Sequence, residues 1–289
     1  FFSMIFLLTV YFFFVPPSDI KIKIVDAQTG NPIPYAVVLS TQFNGIADGD
    51  GIVVVPEKAD SLTFRCVGYE QCRLAFKDLT VTNGTATVKL KPKTFALEAV
   101  GVTAHRIKKI PLGYYRKKAE ATHGSSGGGQ TALFFPPDKR GQLVGIPIGS
   151  VSFYIRDWGN YQKKFRVRLY SVNPGSGTPD KDLLPEAVYA QAQKGNEWVD
   201  VRVKQYGIKF PVNGFFVAIE FLPDAVNASS VKEKTGGPYL GGNCEDENNG
   251  RTWDFIFNKQ EWVQDLPTHK NEFVGNAMIK VELFKEIKK

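Results

Sequence analysis

The chain has 289 residues, of which 43% are hydrophobic and 13% aromatic. That composition excludes a disordered or collagen-like polypeptide and leaves room for one or two domains with sizeable cores. The formal charge of +7 is moderate, and residues 105–118 (HRIKKIPLGYYRKK) alone hold six Lys and Arg. No DNA- or RNA-binding motif accompanies this local cluster, so it reads as a solvated linker and no nucleic-acid partner is expected.

The first 15 residues, FFSMIFLLTVYFFFV, carry no charge. Such a run suits the apolar region of a secretory signal and is short for a spanning helix, which needs about 20 residues. Residues 1–18 are therefore expected to be a signal peptide, incomplete because the basic start is missing, and the mature chain is expected to lack a transmembrane segment.

In residues 20–40 (IKIKIVDAQTGNPIPYAVVLS), Ile20, Ile22 and Ile24 alternate with Lys21 and Lys23. This is the period of a half-buried strand. Gly30, Pro32 and Pro34 supply turn chemistry before a second strand begins at Tyr35, which predicts a hairpin connection. Residues 43–55 (FNGIADGDGIVVV) predict two short strands around a tight Asp48–Gly51 turn; the D-x-D-G pattern lacks the other ligands of a calcium loop. SLTFRCVGYEQCRLAF predicts a strand ending at Gly68 and another after it, and TATVKLKP a further strand.

These residues carry a resemblance. Asp26, Thr29, Gly30, Pro32, Ile33, Pro34, Ala36 and Val38, then Asp48 and Gly51, then Leu62, Phe64, Gly68 and Tyr69, match the carboxypeptidase-regulatory-like domain pattern. Ala47 stands where that pattern often has Thr. The resemblance covers about residues 19–95. It implies a transthyretin-type, seven-stranded sandwich and a place in the envelope of a Gram-negative cell, at the periplasm or outer-membrane surface. Gly30 and Pro34 fall at scaffold positions of the family. KTFALEAVGVTA (93–104) is similar to the ending of such domains where another module follows, as before the plug and barrel of TonB-dependent receptors. The remaining 185 residues or so cannot supply a barrel of roughly 22 strands, so modularity is implied and transport is not.

Residues 105–127 end in a Gly/Ser-rich run and read as a flexible linker. The phosphate-cradling context of strand, helix and Lys is absent from it. Beyond it, TALFFPP, SVSFYIRDWG, KKFRVRLYSVN, EWVDVRV, NGFFVAIEFL, TWDFIFN and GNAMIKVEL all have strand patterns, separated by Pro/Gly/Asn turns. In KKFRVRLYSV, Phe165, Val167 and Leu169 alternate with Arg166, Arg168 and Tyr170. The expected fold class is all-β: two antiparallel β-sandwiches, with a jelly-roll-like domain at 128–285 following the transthyretin-like domain at 19–104.

No catalytic residues are assigned. His105, His123 and His269 accompany neither a G-x-S-x-G elbow nor a zinc-peptidase motif. Cys66, Cys72 and Cys244 form no C-x-x-C or Cys/His metal spacing and read as small hydrophobes. Two binding features remain. Trp158, Tyr161, Trp198, Trp253 and Trp262 lie in or near predicted loops, where aromatic rings can cover the C–H faces of sugars; Trp158, Tyr161, Trp253 and Trp262 are the ligand-binding candidates. Glu245, Asp246 and Glu247 offer hard oxygen ligands for a structural calcium, no other cofactor being expected. The expected function is an exported, non-catalytic binding or assembly module that contacts a glycan or an envelope protein. The alternative is a glycan hydrolase or lyase using at least two of Glu245, Asp246, Glu247, Asp254 and Glu261.

Overall fold

A computed structural model describes residues 19–57, 60–93, 106–125, 127–223, 236–244, 250–266 and 275–287. Residues 1–18, expected to be a signal peptide, the 94–105 junction with His105, the acidic residues Glu245, Asp246 and Glu247, and His269 lie outside the described residues. Among the described residues no helix is long and apolar enough to cross a membrane. The fold is all-β, as the alternating patterns predict.

The N-terminal unit contains β1 (Ile20–Asp26), β2 (Val37–Leu39), β3 (Asn44–Ile46), β4 (Ile52–Val55), β5 (Ser61–Arg65), β6 (Cys72–Ala75), β7 (Val81–Thr82) and β8 (Thr85–Leu90). These form two four-stranded sheets, β4-β1-β8-β7 and β3-β2-β5-β6. Ile22 and Ile24 from one sheet meet Val38, Leu62 and Phe64 from the other in a single core. Among the described residues the count is therefore eight short strands rather than the expected seven.

The first turn is not a hairpin. β1 and β2 lie in different sheets, so Gly30, Pro32 and Pro34 carry the chain across the sandwich. β1 also pairs β8 in parallel, with Lys21 opposite Thr85 and Asp26 opposite Leu90. The Asp48–Gly51 turn likewise crosses between sheets. Asp48 is buried, and its Oδ1 accepts from the amides of Asp50 at 3.0 Å and Ile52 at 2.9 Å. Gly51 has φ 72°, and a Cβ there would stand 2.7 Å from the carbonyl oxygen of Ile24. The D-x-D-G pattern thus builds a backbone-bonded turn against β1.

The C-terminal unit begins earlier than the sequence suggests. Its strands are β9 (Arg106–Gly113), β10 (Ala121–His123), β11 (Gln130–Phe135), β12 (Ile148–Ile155), β13 (Phe165–Val172), β14 (Pro179–Asp182) and β15 (Val188–Ala190). They continue with β16 (Glu197–Arg202), β17 (Phe215–Phe221), β18 (Leu240–Asn243), β19 (Thr252–Ile256), β20 (Glu261–Gln264), β21 (Asn276–Ala277) and β22 (Ile279–Ile287). The basic segment expected as a linker is strand β9, paired with β22 from Lys280–Gly113 to Ile287–Arg106. Its lysines point to solvent from an edge strand, which is where positive charge discourages edge-to-edge association. Lys109 pairs Glu282 at 2.8 Å across that edge.

Among the described residues these strands form two seven-stranded sheets. One is β10-β18-β12-β22-β9 with β16 and β21 attached; the other is β14-β13-β17-β11-β19-β20 with β15 attached. They sandwich a core that includes Leu133, Phe135, Phe153, Phe165, Val217 and Ile279. The second sheet is buried on its other face as well, which is why β17 (FFVAIEF) is apolar almost throughout and buried at every position.

In the N-terminal unit, Asp26 Oδ1 accepts from the amides of Gln28 (2.7 Å) and Thr29 (2.9 Å), and Tyr69 Oη donates to Oδ2 at 3.0 Å. These bonds, the one from Thr29 foremost, hold its carboxyl below the usual carboxylate range. Its folded value lies below its unfolded one, so the stability it contributes is complete above about pH 4 and fades as pH falls through the folded value. Asp26→Asn is expected to flatten this acid limb. Urea midpoints measured from pH 6 to pH 2 check it: a limb as steep as that of the unaltered chain would contradict the assignment.

Candidate functional site

The outer face of the second sheet carries the site, and strand register assembles it. Arg166 on β13 stands opposite Glu220 on β17, Glu220 opposite Gln130 on β11, Gln130 opposite Phe255 on β19, and Phe255 opposite Trp262 on β20. One row thus runs across five strands from a guanidinium to an indole. In the next row Arg168 leads through Ala218 and Ala132 to Trp253 and Gln264. The two alanines leave room for the larger neighbours. In a third row Tyr170 stands opposite Phe216, and Phe216 opposite Phe134.

The polar end is a buried charge cluster. The side chains of Arg166 and Glu220 are only 2% and 3% exposed, and Arg166 Nη1 lies 3.4 Å from Glu220 Oε2. Arg168 Nε lies 3.2 Å from the same carboxylate oxygen, and Arg168 Nη1 is 3.0 Å from Asp182 Oδ2. Arg168 Nε donates to Tyr170 Oη at 2.8 Å, and Tyr170 Oη donates to Gln130 Oε1 at 2.7 Å. Burial pushes the Asp182 carboxyl up, against the pull of Arg168. Two cations and two carboxylates balance, as charges taken out of water require.

The aromatic end is half-buried. Trp262 packs on Phe255 with ring centroids 5.2 Å apart and edge-on to Tyr170 at 5.7 Å. Trp253 meets Phe216 edge-on at 6.1 Å, and Phe216 meets Phe134 at 4.8 Å.

The N-terminal unit covers part of this face. Arg166 Nη2 donates to the carbonyl of Tyr35 at 3.1 Å and to Tyr189 Oη at 3.2 Å, while the Tyr35 and Tyr189 rings lie 5.6 Å apart. Asn44 Nδ2 donates to the Asn258 carbonyl at 3.0 Å. Gly128, with φ 88°, lies against Ile46 and Phe257, where a Cβ would collide with both. That part of the Gly/Ser-rich run therefore permits close approach between the two units rather than flexibility.

Between the units remains a cleft of about 660 Å³. Its walls include Arg65, Cys66 and Tyr69 on one side and Gln130, Arg166, Arg168, Asp182, Glu220 and Trp262 on the other. Arg166 Nε is buried with no hydrogen-bond partner among the described residues, while Arg168 Nη1 meets Asp182 in the ion pair. The cleft therefore offers guanidinium donors beside an aromatic surface, which suits an oxygen-rich ligand with apolar faces. Cys66 is not a nucleophile in waiting, since burial pushes its thiol up and keeps it protonated.

The sequence candidates separate. Trp253 and Trp262 share the outer face, and Trp262 lines the cleft. Trp158 and Tyr161 do not line it; Trp158 is 64% exposed and tilts on Tyr239 at 5.7 Å, while Tyr161 packs on the sandwich core. Trp198 lies under Lys280, whose Nζ is 4.7 Å from its ring centroid. Asp254 accepts from Thr131 Oγ1 at 2.7 Å, Glu261 pairs Lys259 at 3.4 Å, and neither lines the cleft.

Arg166, Arg168, Gln130 and Glu220 escaped sequence reading because polar positions of an alternating strand normally face water. One signal was available: Glu220 is the single charged residue in the apolar run FFVAIEFL, and such a residue is buried with a partner.

Comparison with known proteins adds nothing to this geometry: no family model, no curated protein and no solved structure matches the chain.

Glu220→Gln leaves two buried guanidiniums facing a neutral amide. It is expected to lower stability by about 3–5 kcal/mol, read as a fall in the urea midpoint, with Lys259→Gln at the exposed pair as a near-neutral reference. A loss below about 1 kcal/mol would mean that the cluster is solvated.

Proposed function

We propose that the protein is an exported, non-catalytic binding module of the cell envelope, and that the cleft between its two units takes a segment of glycan. The observation that carries this reading is the row Arg166–Glu220–Gln130–Phe255–Trp262. It sets an aromatic surface beside fixed donors and acceptors in a cleft large enough for a few sugar rings. Ring faces cover the apolar C–H patches of a sugar, and the guanidiniums, the Gln130 amide and the Asp182 carboxylate suit its hydroxyls and ring oxygens. Of the cleft carboxylates, Glu220 and Asp182 already serve arginines, which favours positioning over acid–base turnover. Envelope location rests on the resemblance of residues 19–95 to carboxypeptidase-regulatory-like domains and on the apolar start of the chain. In that setting the N-terminal unit serves as a spacer that also walls the cleft.

A glycan array followed by calorimetry on the best binder tests the reading. Binding without release of reducing ends is expected. Trp262→Ala should weaken it about 10–100-fold, equivalent to ~1.5–3 kcal/mol of lost aromatic burial. Trp158→Ala should leave it within about twofold, since Trp158 lies outside the cleft. An empty array, or equal losses in both variants, would defeat the proposal, and turnover would favour the hydrolase or lyase.

A further inference from the structure

A second constellation lies on the opposite, inner face of the same sheet. His123 on β10 stands opposite Leu240, a residue of the sandwich core, so its imidazole enters the space between the two sheets. Asp254 on β19 stands opposite Thr131 of β11 and enters the same space from the facing sheet. The amide of Asp265 donates to the carbonyl of Thr252 at 2.9 Å, which extends the β19–β20 pairing one step and sets Asp265 on the face of Asp254. One ligand atom from each of His123, Asp254 and Asp265 lies within 4.8 Å of the others.

The imidazole itself supplies the independent sign of a missing partner. His123 Nε2 is shut off from solvent and has no hydrogen-bond partner among the described residues. It lies over Gly242 of β18, where a Cβ would come within 2.9 Å of it. The backbone thus makes room for the ring, while a buried imidazole nitrogen without a partner is costly. A metal ion held by the three side chains gives the ring a strongly bonded nitrogen.

We infer that His123, Asp254 and Asp265 form a binding site for one divalent transition-metal ion, zinc foremost. Donors around a tetrahedral or octahedral ion with bonds of about 2.1 Å stand roughly 3–3.5 Å apart, so the group reaches bonding positions by small side-chain shifts. One imidazole and two carboxylates favour Zn²⁺ and its first-row neighbours over Ca²⁺, which takes oxygen ligands alone. The ion joins strand β10 of one sheet to β19 and the end of β20 of the other. Three protein ligands leave a coordination position for water.

Tag-free protein, stripped with a chelator, should bind one Zn²⁺ per chain in calorimetry and melt higher with zinc than without. Excess Ca²⁺ should not compete. His123→Ala and Asp265→Asn should each weaken zinc binding at least about 100-fold, while Glu261→Gln on the same hairpin leaves it unchanged. Zinc X-ray absorption on the unaltered protein should show one imidazole with oxygen neighbours, an outcome that stands even where a variant fails to fold. Absence of saturable binding, a spectrum without imidazole, or full affinity in His123→Ala would overturn the site.

Discussion

A carboxylate clamped between two arginines is the interaction on which the rest depends. Glu220 lies inside the otherwise apolar strand β17 and is nearly inaccessible to water. Desolvating it is costly unless cations meet it at close range. Arg166 and Arg168 do so from the adjacent strand, but arginine does not lose its proton, so each brings donors that need acceptors of their own. Tyr35, Tyr189, Tyr170 and Asp182 supply them. Because the Tyr35 carbonyl belongs to the N-terminal unit, satisfying the charge in one unit engages the other.

That arrangement also explains why a cleft exists at all. An outer sheet face carrying only apolar residues would be sealed by the unit packed on it. Here the face changes character from charge at β13 to aromatic at Trp262 of β20 in one row and at Trp253 of β19 in the next, with the small Ala132 and Ala218 between Arg168 and Trp253. The N-terminal unit is held at the charged end by Arg166 and at the far end by Asn44 and Gly128. The space left between is lined by Arg166 and Arg168 together with Trp262. Binding capacity is thus a consequence of how the buried charge is accommodated, and the same β19 strand presents Trp253 to one side and Asp254 to the other.

The alternating residues of β1, β8, β13 and β22 made their strands legible, because side chains on a strand alternate between two environments whatever the strand pairs with. Turn residues were legible too, since Gly51 needs a positive φ that few other residues accept. Sheet membership was not. The step from β1 to β2 looks like a hairpin in sequence and crosses between sheets in space. The basic stretch at 106–113 looks like a linker because its partner β22 lies more than 160 residues on. Gly128 looked flexible because nothing local reveals that Ile46 will lie against it.

The sequence by itself determined the class of the fold, the positions of β11, β12, β13, β16, β17, β19 and β22 in the C-terminal unit and the aromatic character of the candidate site, because these follow from local periodicity and composition. Tertiary structure alone decided which aromatics belong together, keeping Trp253 and Trp262 on one face and leaving Trp158 and Tyr161 elsewhere. It alone united Gln130, Arg166 and Glu220 in one row, and His123, Asp254 and Asp265 in another place. The physical reason is register. A side chain's face is set by its own strand, but its neighbours are set by pairing between strands far apart in the chain, and that pairing is fixed only when both faces of a sheet find what buries them.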